Sequence, residues 1–304
     1  MSSRPPTPSP ETPWPDATRA PSGAARTADG VSVAYYELGG SGPTLLLVHA
    51  TGFCGPVLAP MAGHLADRFR CVTLDERAHG ASTPPGDLDF SWTGFGTDVL
   101  AVVDELGLDH PIGFGHSCGG AALLLAEEAR PGTFAGLYCY EPIVYPGDVP
   151  LAPGLESNPL AAGALRRRQH FDSREDALGN FSAKPPFDAL APDVLAAYVD
   201  NGFEPGDEGG IRLRCRREHE AQVYALGLSH DAYAGLGDVG CPVTLACGAR
   251  TDAMGPDFLA LFAARLAAVE QLVLPDLGHF GPLEDPAAVA TSVAGSLAAR
   301  AAAG

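Results

Sequence analysis

The chain has 304 residues, 46% of them hydrophobic and 18% charged, so its composition is globular and it is long enough to bury a large core. Its 37 acidic and 19 basic residues give a formal net charge of −18, which repels phosphate backbones and anionic lipid and argues against a nucleic-acid partner. No run of about 18 apolar residues occurs, so we expect no membrane-spanning helix.

Residues 1–22 are the first segment of the chain. They hold seven prolines and lack the apolar stretch of a secretory signal, so we predict a disordered tail. Seven cysteines, an odd number without a C-x-x-C pair, argue against a disulfide framework and against a zinc site. We therefore expect a protein of the reducing cytoplasm, without a bound metal.

Apolar runs follow the tail at regular spacing, and several end in polar residues. We predict strands over 31–38, 44–50, 71–77, 111–117, 136–142, 243–252 and 271–280. Helix-length stretches cover 56–68, 92–106, 118–129, 256–268 and the chain from about 285. Strands that alternate with helices at this spacing predict an α/β fold with a parallel sheet and right-handed crossovers.

Residues 143–235 interrupt this rhythm. They are poor in strand-like runs, contain helical stretches, and hold nine of the 19 basic residues. Because both ends of this segment return to the same sheet, we interpret it as a helical lid. The predicted core is then formed by residues 23–142 and 236–304.

The stretch IGFGHSCGG ends the fourth predicted strand and begins a helix. Ligands of open parallel sheets bind at the carboxyl ends of the strands, and Ser117 stands at such an end. Gly115 and Gly119 flank it in the pattern Gly-x-Ser-x-Gly, which is typical of a tight, strained turn that lifts a serine hydroxyl above the sheet. Gly120 allows the helix to pack closely. The pattern predicts Ser117 as a nucleophile.

A serine hydroxyl becomes nucleophilic when a base takes its proton and a carboxylate orients that base. His279, just after the last predicted strand, is expected at the same edge of the sheet as Ser117. Asp252 follows the preceding strand, and the order Ser, Asp, His along the chain fits this topology. We predict these three residues as the catalytic triad. Glu141, which ends the strand before the lid, is the rival acid.

Two backbone N–H groups are expected to bind the oxyanion of the tetrahedral intermediate. One belongs to Cys118, directly after the nucleophile, whose thiol we interpret as a small packing group at the helix start. The other is expected in the loop after TLLLVHA, where Thr51 is the first choice and Gly52 and Phe53 are the alternatives.

The stretches LLLVHATGF, LDERAHGAS, GHSCGG, CGARTD and LPDLGHFGPLEDP, spread from about residue 31 to 300, resemble the lid-bearing, esterase and lactonase-like group of α/β-hydrolases. This resemblance implies a mostly parallel, eight-stranded sheet flanked by helices, with the lid inserted after the sixth strand. It implies the same triad and oxyanion residues as above, and a loop-bracing role for Asp75, Arg77 and His79.

Two departures from the family pattern concern the site. Ala50 follows His49 where the family usually has glycine, which affects the second oxyanion donor. The acid motif, from Gly248 to Asp252, is one residue longer than usual, which keeps Glu141 as an alternative.

The predicted function is hydrolysis of an ester, lactone or related acyl bond of a small molecule, without a cofactor. A serine at this turn excludes epoxide hydrolases and haloalkane dehalogenases, which the resemblance associates with aspartate there. The alternative is a cyclisation, acyl transfer or elimination in natural-product biosynthesis. A catalytically silent binding module is disfavoured by the intact triad.

The expected partner is a small-molecule substrate, neither nucleic acid nor membrane, and a homodimer is left open. The lid arginines, Arg166, Arg167 and Arg168 among them, are interpreted as a solvated face paired with nearby acids. The alternative is that one of them faces the pocket and recognises a carboxylate or phosphate.

Overall fold

The computed structural model describes residues 20–146, 158–227 and 230–301. The predicted disordered tail lies outside the described residues except for residues 20–22. Of these, Ser22 donates its backbone N–H to the carbonyl of Tyr35 at 2.8 Å and so begins the pairing of the first strand. No helix in the described ranges is long and apolar enough to cross a membrane.

The strands form one large and one small sheet. In chain order, those of the described residues are β1 (Gly23–Arg26), β2 (Ser32–Gly39), β3 (Thr44–Val48), β4 (Arg70–Leu74), β5 (Ile112–His116), β6 (Gly136–Tyr140), β7 (His170–Phe171), β8 (Phe203–Pro205), β9 (Ile211–Leu213), β10 (Val243–Gly248) and β11 (Val269–Leu274). The large sheet has eight strands in the order β1-β2-β4-β3-β5-β6-β10-β11. Its strands from β4 to β11 run parallel, and β2 pairs antiparallel with both β1 and β4. The mostly parallel, eight-stranded sheet is confirmed.

Helices cover both faces of this sheet. Those of the described residues are α1 (Ala59–Gly63), α2 (Trp92–Glu105), α3 (Cys118–Ala129), α4 (Pro159–Leu165), α5 (Arg174–Ser182), α6 (Pro192–Asn201), α7 (Arg217–Leu226), α8 (Ala232–Gly235), α9 (Pro256–Ala263), α10 (Gly281–Glu284) and α11 (Pro286–Ala301). The predicted helix over 56–68 is divided into a 3-10 turn, Gly55–Leu58, and the short α1.

The central strands are mostly apolar because both of their faces are covered. In β3, Leu46 and Val48 belong to the apolar cluster that contains α2 and α3. Leu45 and Leu47 belong to the cluster that contains α1 and α11. Each such side chain, fully buried, contributes about 1.5–3 kcal/mol to the free energy of unfolding. The two layers hold the carboxyl ends of the parallel strands at one rigid edge.

The segment between β6 and β10 contains α4 to α8 in its described part, and we call it the inserted segment. It also contains the small antiparallel sheet, in the order β7-β9-β8. The prediction of a helical segment therefore missed a sheet. These strands have two or three residues each, too few to show an alternating pattern.

Candidate active site

Ser117 occupies a sharp turn between β5 and α3. Its backbone has φ 56° and ψ −114°, a combination that is strained for a residue with a side chain. Surrounding hydrogen bonds hold the turn: Ser117 N donates to the carbonyl of Tyr140 at 2.9 Å, and Ser117 O accepts from the N–H groups of Gly120 and Ala121. Because α3 begins at the next residue, Ser117 also stands at the positive end of a helix.

The glycines around Ser117 are required by close backbone contacts. A Cβ at Gly115 would lie 2.4 Å from the carbonyl oxygen of Gly119. A Cβ at Gly119 would lie 2.4 Å from the carbonyl oxygen of Val48 in β3. A Cβ at Gly120 would lie 2.9 Å from Cβ of Pro142, so α3 packs as closely as the sequence pattern predicts. The turn therefore fits only with the small residues that flank the serine.

Gly119→Ala should destabilise the protein by at least about 1–3 kcal/mol, because the new methyl group must displace the backbone of β3. Thermal unfolding measures this directly. The matched control is Gly179→Ala in α5, where nothing lies within 4 Å of the added methyl group. That change should raise stability by about 0.5–1 kcal/mol through the better helix propensity of alanine. Equal melting temperatures for the two variants would contradict the packing described here.

The carboxylate that contacts His279 is Glu141, which corrects the prediction of Asp252. Nδ1 of His279 lies 2.7 Å from Oε2 of Glu141. The Glu141 side chain is fully buried, and it also accepts from the N–H of Gly248 at 3.0 Å and from Oγ1 of Thr251 at 2.7 Å. Asp252 is exposed at the rim of the cavity instead.

Chain geometry explains why Glu141 takes this position. Glu141 directly follows β6, and its N–H donates to the carbonyl of Ala246 in the neighbouring strand β10 at 2.8 Å. This bond places its carboxylate beside the end of β10. Asp252 lies four residues beyond that end, in a bend that leads outward to α9. Glu141 therefore reaches the loop of His279 from inside the sheet.

Two residues that the sequence analysis did not select hold the His279 loop in place. His116 Nε2 donates to the carbonyl of His279 at 2.8 Å, and the hydroxyl of Tyr140 donates to the carbonyl of Gly278 at 2.8 Å. Burial, together with the adjacent His279, lowers the pKa of His116 well below its usual range, so it is neutral. Their positions at the ends of β5 and β6 were the sequence signal that could have placed them near His279.

The loop after β3 places the backbone N–H of Thr51 at the cavity. The N–H of Gly52 donates to His79 Nε2 at 3.0 Å, and the N–H of Phe53 donates to the carbonyl of Ala50 at 3.2 Å. Among the described residues, the N–H of Thr51 has no acceptor, and Thr51 lines the cavity. The N–H of Cys118 is likewise without an intrahelical acceptor, because Cys118 is the first residue of α3.

Buried neutral groups support this loop from below. His49 accepts from the N–H of Glu76 at 3.1 Å, and burial beside His79 lowers its pKa to about 3. Burial lowers the pKa of His79 to about 4, which leaves its Nε2 free of a proton to accept from Gly52. Burial raises the pKa of the Cys118 thiol well above its usual range, so this side chain is an unreactive packing group.

The DERAHG stretch, residues 75–80, also braces neighbouring loops. Asp75 accepts from the N–H of Gly55 at 2.7 Å, from that of Ala81 at 2.7 Å and from the hydroxyl of Tyr36 at 2.7 Å. Arg77 forms a buried, two-pronged ion pair with Asp98 of α2. These side chains fix the backbone around the loop that follows β3.

A cavity of about 930 Å³ opens above the turn and is lined by Ser117, His279 and Thr51. This volume lies at the upper end of the range for clefts that hold drug-sized ligands. The inserted segment forms much of its wall, through α4, α5 and α7. A second pocket, near Arg130 and Asp104, lies among residues remote from this edge of the sheet.

Residues 45–292 match the alpha/beta hydrolase family. The chain belongs to this family. The match spans most of the chain, from β3 to α11, and so includes the serine turn, Glu141 and His279. The family match and the hydrolases named next support the same general class of activity, hydrolysis, for this chain.

Similar proteins include two hydrolases with known names. The 2-(acetamidomethylene)succinate hydrolase of Mesorhizobium japonicum is 24% identical over 244 residues, which cover 79% of this chain and 83% of the relative. The N-formylmaleamate deformylase of Pseudomonas putida is 32% identical over 127 residues, 40% of this chain and 46% of the relative. A crystal structure of E-2-(acetamidomethylene)succinate hydrolase superposes with a TM-score of 0.75 at 22% identity, covering 90% of this chain and 97% of the other. This structure confirms the fold.

Proposed function

We propose that this protein is a serine hydrolase that cleaves an ester, lactone or related acyl bond of a small molecule through an acyl-enzyme on Ser117. One observation carries the proposal: Ser117, at its strained turn, lines the same cavity as His279, whose Nδ1 contacts the buried carboxylate of Glu141. A nucleophile, a base and an orienting carboxylate are the groups that acyl transfer requires.

In the proposed mechanism, Ser117 Oγ attacks the acyl carbon and its proton passes to Nε2 of His279. The carboxylate of Glu141 stabilises the imidazolium that forms and keeps Nδ1 protonated. The N–H groups of Thr51 and Cys118 donate to the oxyanion. Collapse of the intermediate breaks the bond to the leaving group, which takes the proton from His279. A water molecule, deprotonated by His279, then cleaves the acyl-enzyme and restores the serine.

The names of the two relatives extend the range of acyl bonds to be tested. One hydrolyses an acetamido-bearing succinate and the other removes a formyl group from N-formylmaleamate, so each name denotes an acyl group on nitrogen. The same attack by a serine applies to an amide, whose leaving nitrogen needs the proton that His279 supplies. Substituted acetamides and formamides therefore belong beside esters and lactones in any screen of this protein.

A fluorophosphonate probe tests the proposal. We expect the purified protein to become labelled at Ser117, as identified by mass spectrometry of the tryptic peptide, and to release nitrophenol from short-chain nitrophenyl esters. Pre-incubation with a good substrate should slow the labelling. Labelling at Ser117 without turnover of any ester, lactone or amide would favour the non-hydrolytic alternative. An unlabelled Ser117 would contradict the nucleophile itself.

A further inference from the structure

Charge inside the catalytic cavity differs from the charge of the whole chain. The net charge of the protein is −18, yet the cavity next to Ser117 is lined by four cations: Arg166, Arg167, Arg168 and Lys184. Lys184 is the single lysine of the chain. Among the described residues, the carboxylates that line the same cavity are those of Glu220 and Asp252. A cluster of cations in an acidic protein requires an explanation.

Two of the four cations are neutralised by acids of the inserted segment. Arg167 donates to Oε2 of Glu220 at 2.5 Å and also to the hydroxyl of Tyr198. Its guanidinium lies 5.7 Å from the centre of the Phe187 ring. Arg168 pairs in the same way with Asp176 at 2.5 Å.

The Arg167–Glu220 pair packs against the backbone at Gly52. A Cβ added to Gly52 would lie 2.5 Å from Oε1 of Glu220 and 3.2 Å from Nη1 of Arg167. The pair therefore rests on the loop that presents the N–H of Thr51. Because its charges compensate each other, this pair supports the oxyanion loop and leaves no net charge for a ligand.

Arg166 and Lys184 remain, and neither has an acidic partner among the described residues. Nζ of Lys184 donates to the neutral amide oxygen of Asn180 at 2.5 Å. Arg166 ends α4 with an exposed side chain and forms no ion pair within the part of the chain that the structure describes. Both residues are exposed and line the same cavity as Ser117, so a ligand bound at Ser117 can extend toward them.

The surroundings limit the charge of such a ligand. Among the residues that the structure describes, the four cations are balanced by Glu220 and Asp252 in the cavity lining and by Asp176, which pairs with Arg168 from outside it, so one unit of positive charge is left. That balance suits a single carboxylate better than a phosphate dianion. Phe53, Phe187 and Phe280 pack together along the cavity, with ring centres 5.6 and 5.9 Å apart, and provide an apolar wall for the part between the two ends.

We propose that the substrate of this enzyme carries a carboxylate, bound by Arg166 and Lys184 at the cavity mouth while its acyl carbon lies at Ser117. The inference rests on the proposed function and adds the chemical class of the substrate to it. A guanidinium suits this task because it can donate two parallel hydrogen bonds to a carboxylate.

Matched pairs of esters test the proposal. Each pair has the same number of acyl carbons, from four to eight, and differs at the far end: for six carbons, nitrophenyl hydrogen adipate against nitrophenyl hexanoate. We expect kcat/KM for the acidic ester to be about tenfold higher at the best chain length, the factor that two partly exposed ion pairs supply. The preference should fall as salt is added, because the charges lie near solvent.

The double variant Arg166→Gln/Lys184→Gln should lose this preference, mainly through a higher KM for the acidic ester. The control is Arg174→Gln, which removes one cation, against two in the double variant, that is paired with Asp200 and does not line the cavity. Its preference should equal that of the unmodified protein. Equal turnover of acidic and neutral esters, or a preference that survives in the double variant, would overturn the proposal.

Binding of adipate separates this proposal from the proposed function. If none of the esters is hydrolysed, the hydrolase proposal fails, and calorimetric titration with adipate still tests the anion site. Millimolar binding that weakens about tenfold in the double variant, but not in Arg174→Gln, would support the site. Binding that is absent, or equal in all three proteins, would overturn it.

Discussion

Ser117→Ala should reduce ester turnover by about 10⁴-fold or more and abolish labelling by a fluorophosphonate, while the protein stays folded. Alanine keeps the Cβ that the strained turn already accommodates and removes only the hydroxyl that attacks the acyl carbon. Turnover of a nitrophenyl ester under saturating conditions measures the loss, and thermal unfolding verifies the fold. Residual turnover of a tenth or more would mean that another group is the nucleophile.

Cys118→Ala is the matched control for this experiment, because a thiol lies directly beside the hydroxyl in the sequence. The thiol of Cys118 is fully buried, it lies 3.7 Å from Oε1 of Glu76, and its pKa is raised by burial. We therefore expect at most about a tenfold loss of turnover, through a small change in packing. A loss equal to that of Ser117→Ala would transfer the nucleophile to the thiol.

The serine turn could be predicted from sequence because its constraints are local. The apolar run before it, the glycines on either side and the helix after it are contiguous, and the contacts of Gly115 and Gly119 show why each is required. His279 could be predicted almost as directly, since the carboxyl ends of parallel strands meet at one edge of the sheet. The central parallel strands are mostly apolar runs of five or six residues, and they can be predicted for the same reason.

Short strands could not be predicted, because they contain too few residues to form a local pattern. The strand β1 has four residues and the strands of the small sheet have two or three, so no period is visible in them. The compensation of Arg167 by Glu220 joins residues 53 positions apart, and chain order does not reveal it. Such pairings depend on how the inserted segment folds back over the sheet.

Sequence alone could not decide which of two acids contacts His279. Glu141 and Asp252 follow the adjacent strands β6 and β10, so both were expected at the catalytic edge. Their order in the chain favoured Asp252. What decides is the distance of each residue from the end of its strand, together with the longer side chain of glutamate: Glu141 follows β6 directly, whereas Asp252 lies four residues beyond β10.

Glu141→Gln should therefore lower turnover by about 10⁴-fold, whereas Asp252→Asn should change it by less than about threefold. An amide at position 141 can neither stabilise an imidazolium nor hold the proton on Nδ1 of His279, and the loss of the orienting carboxylate typically has an effect of this size. Asp252 is exposed at the rim, where the loss of one charge is largely screened by water. Both variants are measured on one neutral ester at one pH.

Thr251→Val separates the charge of Glu141 from its role in packing. This change removes one hydrogen bond to the same carboxylate, which Thr251 Oγ1 donates at 2.7 Å, and leaves the charge in place. Loss of one such bond to a charged group costs about 1.5–3 kcal/mol of stability, so a lower melting temperature is expected in this variant and in Glu141→Gln alike. Turnover should diverge, however: at most about tenfold lower in Thr251→Val and about 10⁴-fold lower in Glu141→Gln. If Asp252→Asn were the inactive variant and Glu141→Gln retained activity, the carboxylate bonded to His279 in the free enzyme would not be the one that acts in the transition state.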